Sequence, residues 1–479
     1  MEITRRIISN FGFLLQVAGL LLALPIAIGI QHNEIQPVAS MVATGFLSFG
    51  LGFILNSFCE RKELDEKTSL WLMVINFTIL PLVLMIPYIW NNAFSSGNPI
   101  DLVTNAYFET VSGFTTTGFT FIANAESALP ISLLFYRSLV EFIGGVGLIY
   151  LLIAFLHPNR SLDNYAEIFG VEKLSANLKR VFMSVMLVYT LFVAIFTAIF
   201  YFLYSQDIVI ASAAAIDVLT GGYAPTIPAG IGIFQISIII LMLLGSLNFR
   251  FHFNLFHFKL RSTITKEIKL YLGIIAVATV LVAILAWINP FDSLFHVISM
   301  MSSTGIEYIN LAATPTAAKV LLIVVGLVGG CAFSMAGGIR IQRIQILIDG
   351  IRNRDDRVGR EQLKSVLISI VGFIVILGVL SLIFSKIGIS LLDSVYEVGS
   401  ALTTNGISMG ITTVSMPVGY KWLLILAMIV GRIEIIVVFK GLIGTKILNV
   451  GKHLSGIIVR RKKIGENEMV SSPESLVKI

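Results

Sequence analysis

The chain has 479 residues, 56% of them hydrophobic and 13% charged, with a mean hydropathy of +0.89 and a formal net charge of +6. A soluble domain has no interior able to hide that share of apolar surface, so the composition points to a polytopic membrane protein rather than a soluble enzyme or binding module.

A helix needs roughly 20 apolar residues to cross the hydrocarbon. Ten stretches qualify, near 7–30, 37–58, 68–90, 130–155, 182–204, 231–249, 270–288, 317–348, 365–384 and 420–439. The first follows Arg5 and Arg6, as a signal peptide would, but it is too long for an h-region, has no clear A-x-A site and meets a second span at once. It reads as an uncleaved helix.

Orientation follows from Lys and Arg. With a cytoplasmic N-terminus and alternating spans, the inner segments (1–6, 59–67, 157–180, 250–269, 340–364, 440–479) hold 29 of the 34 basic residues. The outer segments hold one, Lys386, against ten acidic residues. This places both termini in the cytoplasm by the positive-inside rule, and makes the net charge a topology signal. No basic cluster is interleaved with aromatics as a nucleic-acid surface requires. Cys59 and Cys331 define no disulfide framework or thiolate site, and His252 and His257 are poorly spaced as ligands. With no His/Asp/Ser constellation, metal cluster or phosphate loop, an intramembrane enzyme is not indicated.

Beyond the first two spans, one pattern appears four times. Thr116-Thr117-Gly118, Thr220-Gly221-Gly222, Ser303-Thr304-Gly305 and Thr404-Asn405-Gly406 each lie between two apolar runs, and each is followed by a bulky residue. Short apolar segments precede them at 104–113, 207–217, 292–301 and 393–402, with Glu109, Asp217, Asp292, Asp393 and Glu397 on or near them. Ten helical residues reach about 15 Å, half the hydrocarbon core. Such segments enter from the outer face, stop mid-membrane and return as loop, which is tolerated only where the loop is buried in protein or lines a wet cavity. The expected fold is an all-α polytopic membrane protein of about ten spans. Four parallel membrane–pore-loop–membrane repeats surround a pseudo-fourfold pore, and two N-terminal helices are added to them.

The expected division is 1–67 for the added pair and 68–156, 157–249, 250–348 and 349–440 for the repeats, with a basic cytoplasmic tail at 441–479. Main-chain carbonyls of the four loops can replace the hydration shell of a cation, and the negative ends of four half-helices favour one there. Outer carboxylates such as Glu307 can concentrate cations at the mouth within about a Debye length, ~8 Å.

Two further devices stand out. Gly329-Gly330 and Gly337-Gly338 break the eighth span at about 1 kcal/mol per glycine, and broken membrane helices usually serve a site. The stretch 329–338 reads as a loop under the filter that occludes the pore. Arg432 lies about a dozen residues into the last span at a cost of about 2.5–3.5 kcal/mol, so it faces the interior, either beside the pathway or paired with a pore-helix carboxylate. Arg137 and Glu141, four apart on one helix face, are expected to pair with each other. The inner loops with Arg352, Arg354, Arg357 and Arg360 suit a cytoplasmic partner or anionic lipid headgroups.

The run Phe108-Glu-Thr-Val-Ser-Gly-Phe-Thr-Thr-Thr-Gly118 resembles the first pore loop of the Trk/Ktr/HKT superfamily of potassium transporters. Thr220-Gly-Gly-Tyr223, Gly329 to Gly338 and Gly431-Arg-Ile-Glu434 are similar to later family features, and the two added spans resemble the TrkH-type branch. The resemblance implies potassium as the transported ion, with Gly118 rather than serine pointing to potassium over sodium. It also implies a homodimer in the cytoplasmic membrane and a separate cytoplasmic nucleotide-binding regulatory subunit, since this chain has no nucleotide fingerprint of its own. Arg432 matches a family arginine associated with the pathway. The third loop departs from the common pattern at Ile306-Glu-Tyr308, the fourth at Asn405, and the second at Tyr223-Ala-Pro225. Two alternatives remain: the ion-translocating subunit of a potassium-pumping P-type ATPase, and a sodium-coupled or sodium-permeable relative. The residues leave channel and symport behaviour both open.

Overall fold

Each half-helix begins where a short polar side chain can satisfy the free N–H groups of its first turn. In the computed structural model, Asn98 caps Pro99–Phe114 and Asp207 caps Ile208–Thr220, while Asn289 caps Pro290–Ser302 and Ser390 caps Leu391–Leu402. Pro99 and Pro290 occupy first-turn positions where the missing N–H costs nothing. The four helices have 16, 13, 13 and 12 residues, about 18–24 Å, and none crosses the hydrocarbon.

The structure describes residues 2–57, 66–94, 98–147, 178–223, 225, 227, 232–256, 264–310, 313–332, 334–352 and 357–433. The tail 441–479, Cys59, His257, Arg354, Glu434 and most of 157–180 lie outside them. In chain order the helices are α1 (Glu2–Leu21), α2 (Ala23–Gln31), α3 (Ile35–Ser57), α4 (Glu66–Leu84), α5 (Ile86–Trp90), α6 (Pro99–Phe114), α7 (Ala125–Ala128) and α8 (Ile131–Phe142). There follow α9 (Leu178–Leu203), α10 (Ile208–Thr220), α11 (Ile233–Ser246), α12 (Phe249–Phe256), α13 (Lys266–Ala286) and α14 (Pro290–Ser302). The last are α15 (Thr316–Val328), α16 (Ile341–Arg352), α17 (Arg357–Phe384), α18 (Leu391–Leu402) and α19 (Val418–Ile433). No strand occurs among the described residues. Five stretches among them are long and apolar enough to cross a membrane: Thr4–Gln31, Ile35–Ser57, Trp71–Trp90, Lys266–Ala286 and Val366–Ile387.

The packing closes into a ring. The half-helices α6, α10, α14 and α18 each pack against the long helix before them (α4, α9, α13, α17) and the helix after them (α8, α11, α15, α19). That following helix also packs against the next half-helix: α8 on α10, α11 on α14, α15 on α18, and α19 back on α6. Lys421 fastens the closing contact, its Nζ donating to Asn105 Oδ1 on α6 and to Val414 O, both at 2.7 Å.

The N-terminal pair stands beside this ring. α1 and α3 approach so closely that a methyl group on Gly12 would sit 2.8 Å from Gly52 O, and one on Gly19 would sit 2.9 Å from Gly45 O. Small residues at heptad spacing let two backbones meet where lipid offers no hydrophobic drive. The turn after α2 then anchors the pair to the ring. Glu34 accepts from the N–H groups of Ile131 (2.7 Å) and Ser132 (2.9 Å), capping the N-terminus of α8 with a carboxylate.

Candidate ion pathway at the meeting of four loops

The four marker loops converge at the centre of the ring, and their main chains touch in a closed cycle. A methyl group on Gly118 would sit 2.1 Å from Gly222 O, and one on Gly221 would sit 2.8 Å from Ser303 O. One on Gly305 would sit 1.6 Å from Asn405 O, and one on Gly406 would sit 1.9 Å from Thr117 O. Each loop thus presents a glycine Cα to a carbonyl of the next, and the fourth returns to the first. Thr116, Thr117, Thr220, Ser303, Thr304, Thr404 and Asn405 are all buried. Gly118, Gly222, Gly305 and Gly406 also line a cavity of about 640 Å³ on the outer side, shared with Glu126, Glu307, Asn310 and Thr412.

Three loops leave their helices alike. Thr116, Ser303 and Thr404 adopt positive φ (53°, 56°, 52°), followed two residues later by Gly118, Gly305 and Gly406 at 84°, 67° and 74°. The N–H groups of Thr117, Thr304 and Asn405 return to the carbonyls of Ser112, Ser299 and Ser400. These serines stand six residues before each glycine, a recurrence visible in the sequence but passed over there. The second loop has Ile216 at that place, and its positive φ falls on Gly221, one residue earlier in register than in the other three.

Buried carboxylates hold the loops on their outward course. Glu109 accepts from Thr120 Oγ1 (2.8 Å) and the N–H of Phe121 (3.1 Å). Glu397 accepts at the same offsets from Ser408 Oγ (2.6 Å) and Met409 N–H (3.0 Å), and from Thr412 as well. The second half-helix has Ala213 at this place, and Glu141 of α8 supplies the carboxylate instead, accepting from Thr220 Oγ1 and the N–H of Tyr223 (3.0 Å). A methyl group on Gly222 would meet Glu141 Cδ at 2.4 Å, so only glycine admits this approach. The third half-helix carries His296, and its loop is tied by Tyr308 OH donating to Asp292 Oδ1 (2.5 Å).

The expected Arg137–Glu141 pair does not form. The same face of α8 meets two different elements, so Glu141 is taken by the second loop while Arg137 turns to α6. There its Nη2 and Nε both lie 3.0 Å from Glu109 Oε1, with its Cζ 3.2 Å from the centre of the Tyr223 ring. Both partners are buried. Arg137→Leu is expected to cost about 3–5 kcal/mol, because it leaves Glu109 buried without a countercharge; a thermal unfolding midpoint in detergent equal to the parent's would refute this.

Beside the loops, the interrupted helix forms a well-bonded stretch. α15 ends at Val328 and α16 begins at Ile341. Between them Cys331 N–H and Met335 N–H donate to Ser246 O and Gly245 O (both 3.1 Å), and Ala332 N–H donates to Glu267 (2.7 Å). Gly337 N–H donates to Ser303 Oγ (2.9 Å), and Arg432 Nη1 donates to Met335 O (3.1 Å). Phe333 lies outside the described residues. Gly329, Gly330 and Gly337 are buried, and a methyl group on Gly329 would sit 2.1 Å from Gly337 O. The two glycine pairs therefore cross one another closely. Arg432, expected beside the pathway or paired with a pore-helix carboxylate, donates to a main-chain carbonyl of this stretch.

The chain is similar to known proteins in sequence and in fold. Residues 279–440 match the family model for TrkH, described as a cation transport protein. The chain is 26% identical over 464 residues to a cation transporter of Methanocaldococcus jannaschii, covering 90% of this chain and 93% of that one. It is 27% identical over 422 residues to the Trk system potassium uptake protein TrkH of Escherichia coli (78% and 85%). The crystal structure of the potassium transporter TrkH from Vibrio parahaemolyticus shares its fold, with a TM-score of 0.77 at 21% identity over 91% of this chain and 98% of that one. With a ring of four loops and a helical body matched over nearly its whole length, the chain is similar in sequence to the TrkH cation transporters and shares the fold of a solved one.

Proposed function

We propose that the chain carries potassium across the cytoplasmic membrane through a filter of main-chain carbonyls contributed by Thr116–Gly118, Thr220–Gly222, Ser303–Gly305 and Thr404–Gly406. The observation that carries this reading is the closed cycle of glycine-to-carbonyl contacts, in which the main chain of each loop meets that of the next. Carbonyl oxygens held in such a ring replace a potassium ion's water without binding it too tightly. The C-terminal ends of α6, α10, α14 and α18 add partial negative charge at the same place. The relatives named as Trk potassium uptake proteins support potassium as the ion.

The stretch 329–338 acts as the gate, with Gly329, Gly330, Gly337 and Gly338 as its flexible ends and Arg432 bracing it from the last helix. Arg432→Ala removes a charged donor from Met335 O and is expected to raise basal flux about tenfold. Rubidium flux at or below the parent level would leave the arginine with a role in packing alone. The protein works as a homodimer with both termini cytoplasmic. A cytoplasmic nucleotide-binding subunit docks on the inner loops that carry Arg352, Arg354, Arg357 and Arg360.

The deciding experiment is flux through purified protein in liposomes with potassium, rubidium and sodium compared, with and without a pH gradient. Potassium and rubidium are expected to pass and sodium to be excluded. Equal sodium flux would overturn the potassium filter, and a dependence on added ATPase subunit with block by vanadate would favour a pump.

A further inference from the structure

At the inner rim of the loop ring, the hydroxyls of the second, third and fourth loops are not equivalent. Thr220 Oγ1 is committed to Glu141 and to Ile216 O. Ser303 Oγ accepts from the N–H of Gly337 at 2.9 Å. Thr404 Oγ1 is buried without a hydrogen-bond partner among the described residues. A methyl group on Gly337 would sit 2.5 Å from that oxygen and 2.2 Å from Thr403 O. Gly337 is therefore wedged against the third and fourth loops, with its amide on one hydroxyl and its Cα filling the space before the next. The other supports of the stretch, Gly245, Ser246, Glu267 and Arg432, lie outside the loop ring. The Ser303 bond ties the stretch to the ring itself.

A cation that has shed its water at this rim needs the oxygens there. A hydroxyl that accepts an N–H has one lone pair fewer to offer, and a backbone pressed beneath it leaves less room for the water that accompanies the ion. We propose that the 329–338 stretch and the permeating cation compete for the Ser303 hydroxyl. Cation occupancy of the innermost position then releases the stretch, and docking of the stretch weakens cation binding there. This rests on the reading of 329–338 as the gate. The coupling is reciprocal, so the factor by which docking lowers cation affinity is the factor by which the cation disfavours docking. One buried hydrogen bond sets that factor at about fivefold.

Cys331 provides the readout, since it is fully buried while the stretch is docked. With Cys59→Ser as background, Cys331 is the sole thiol of the chain. Its labelling by a small thiosulfonate added from the cytoplasmic side of reconstituted protein is expected to accelerate about fivefold when N-methylglucamine is replaced by saturating potassium. Ser303→Ala should label fast in both media, with the ratio near one, and Ser303→Thr should restore the potassium dependence. A Ser303→Ala protein that keeps the parental dependence, or a parent that labels alike in both media, overturns the competition. Should Ser303→Ala not fold, Gly337→Ala tests it from the other side, and is likewise expected to label fast without regard to potassium. The gate reading is judged separately by flux after deletion of 331–336. If deletion raises flux while labelling ignores potassium, only the competition falls; if flux is unchanged, the gate and the competition fall together.

Discussion

Gly305→Ala is expected to abolish selective potassium flux while the protein still inserts and folds. Alanine at φ 67° carries a cost of about 1–2 kcal/mol, by itself a 5–30-fold bias against the native loop conformation. The added methyl would also overlap the carbonyl oxygen of Asn405 at 1.6 Å. That oxygen belongs to the neighbouring loop and cannot yield without moving the fourth loop of the ring. The damage therefore falls on the pathway rather than on the helices, which meet through other contacts. The measurement is rubidium flux in liposomes alongside the unfolding midpoint. Parental flux and parental potassium-to-sodium discrimination in this variant would show that the loops do not form the filter.

Deleting residues 331–336, so that Gly330 runs directly to Gly337, is expected to raise flux in the absence of any partner about 100-fold. The stretch makes bonds to Gly245, Ser246, Glu267, Ser303 and Arg432. If three of them contribute about 1 kcal/mol each, the undocked state is populated near one part in a hundred. Removing the plug lifts that restriction while the carbonyl ring above keeps its own supports in Glu109, Glu141 and Glu397. Selectivity for potassium over sodium is expected to survive. Unchanged flux would mean that the constriction lies elsewhere, and lost selectivity would mean that the stretch is part of the filter.

The positions of the loops and half-helices were legible in the sequence because they rest on local chemistry. Asn98, Asp207, Asn289 and Ser390 announce helix starts, Pro99 and Pro290 strengthen two of them, and the glycines mark the turns. The first half-helix nevertheless begins at Pro99, five residues before the expected start, because its cap lies in the outer loop. What escaped the sequence is non-local. Helical spacing puts Arg137 and Glu141 on one face but does not say that this face meets α6 at one level and the second loop at the next. The role of Glu141 also required knowing that Ala213 had vacated the place held by Glu109 and Glu397. The partners of Arg432 and Glu267 lie 97 and 65 residues away in a stretch without secondary structure, where periodicity gives no guidance.

The contact of α19 with α6, fastened by Lys421 on Asn105, joins residues 316 apart and has a consequence for biogenesis. A nascent chain emerging from the ribosome holds three quarters of the annulus with an open flank until its final membrane helix arrives. On the function proposed above, the pathway closes only once α19 is made, which begins 80 residues after Gly338. Copies that end before Val418 lack the helix that closes the annulus, so its fourth seam is the last to be sealed.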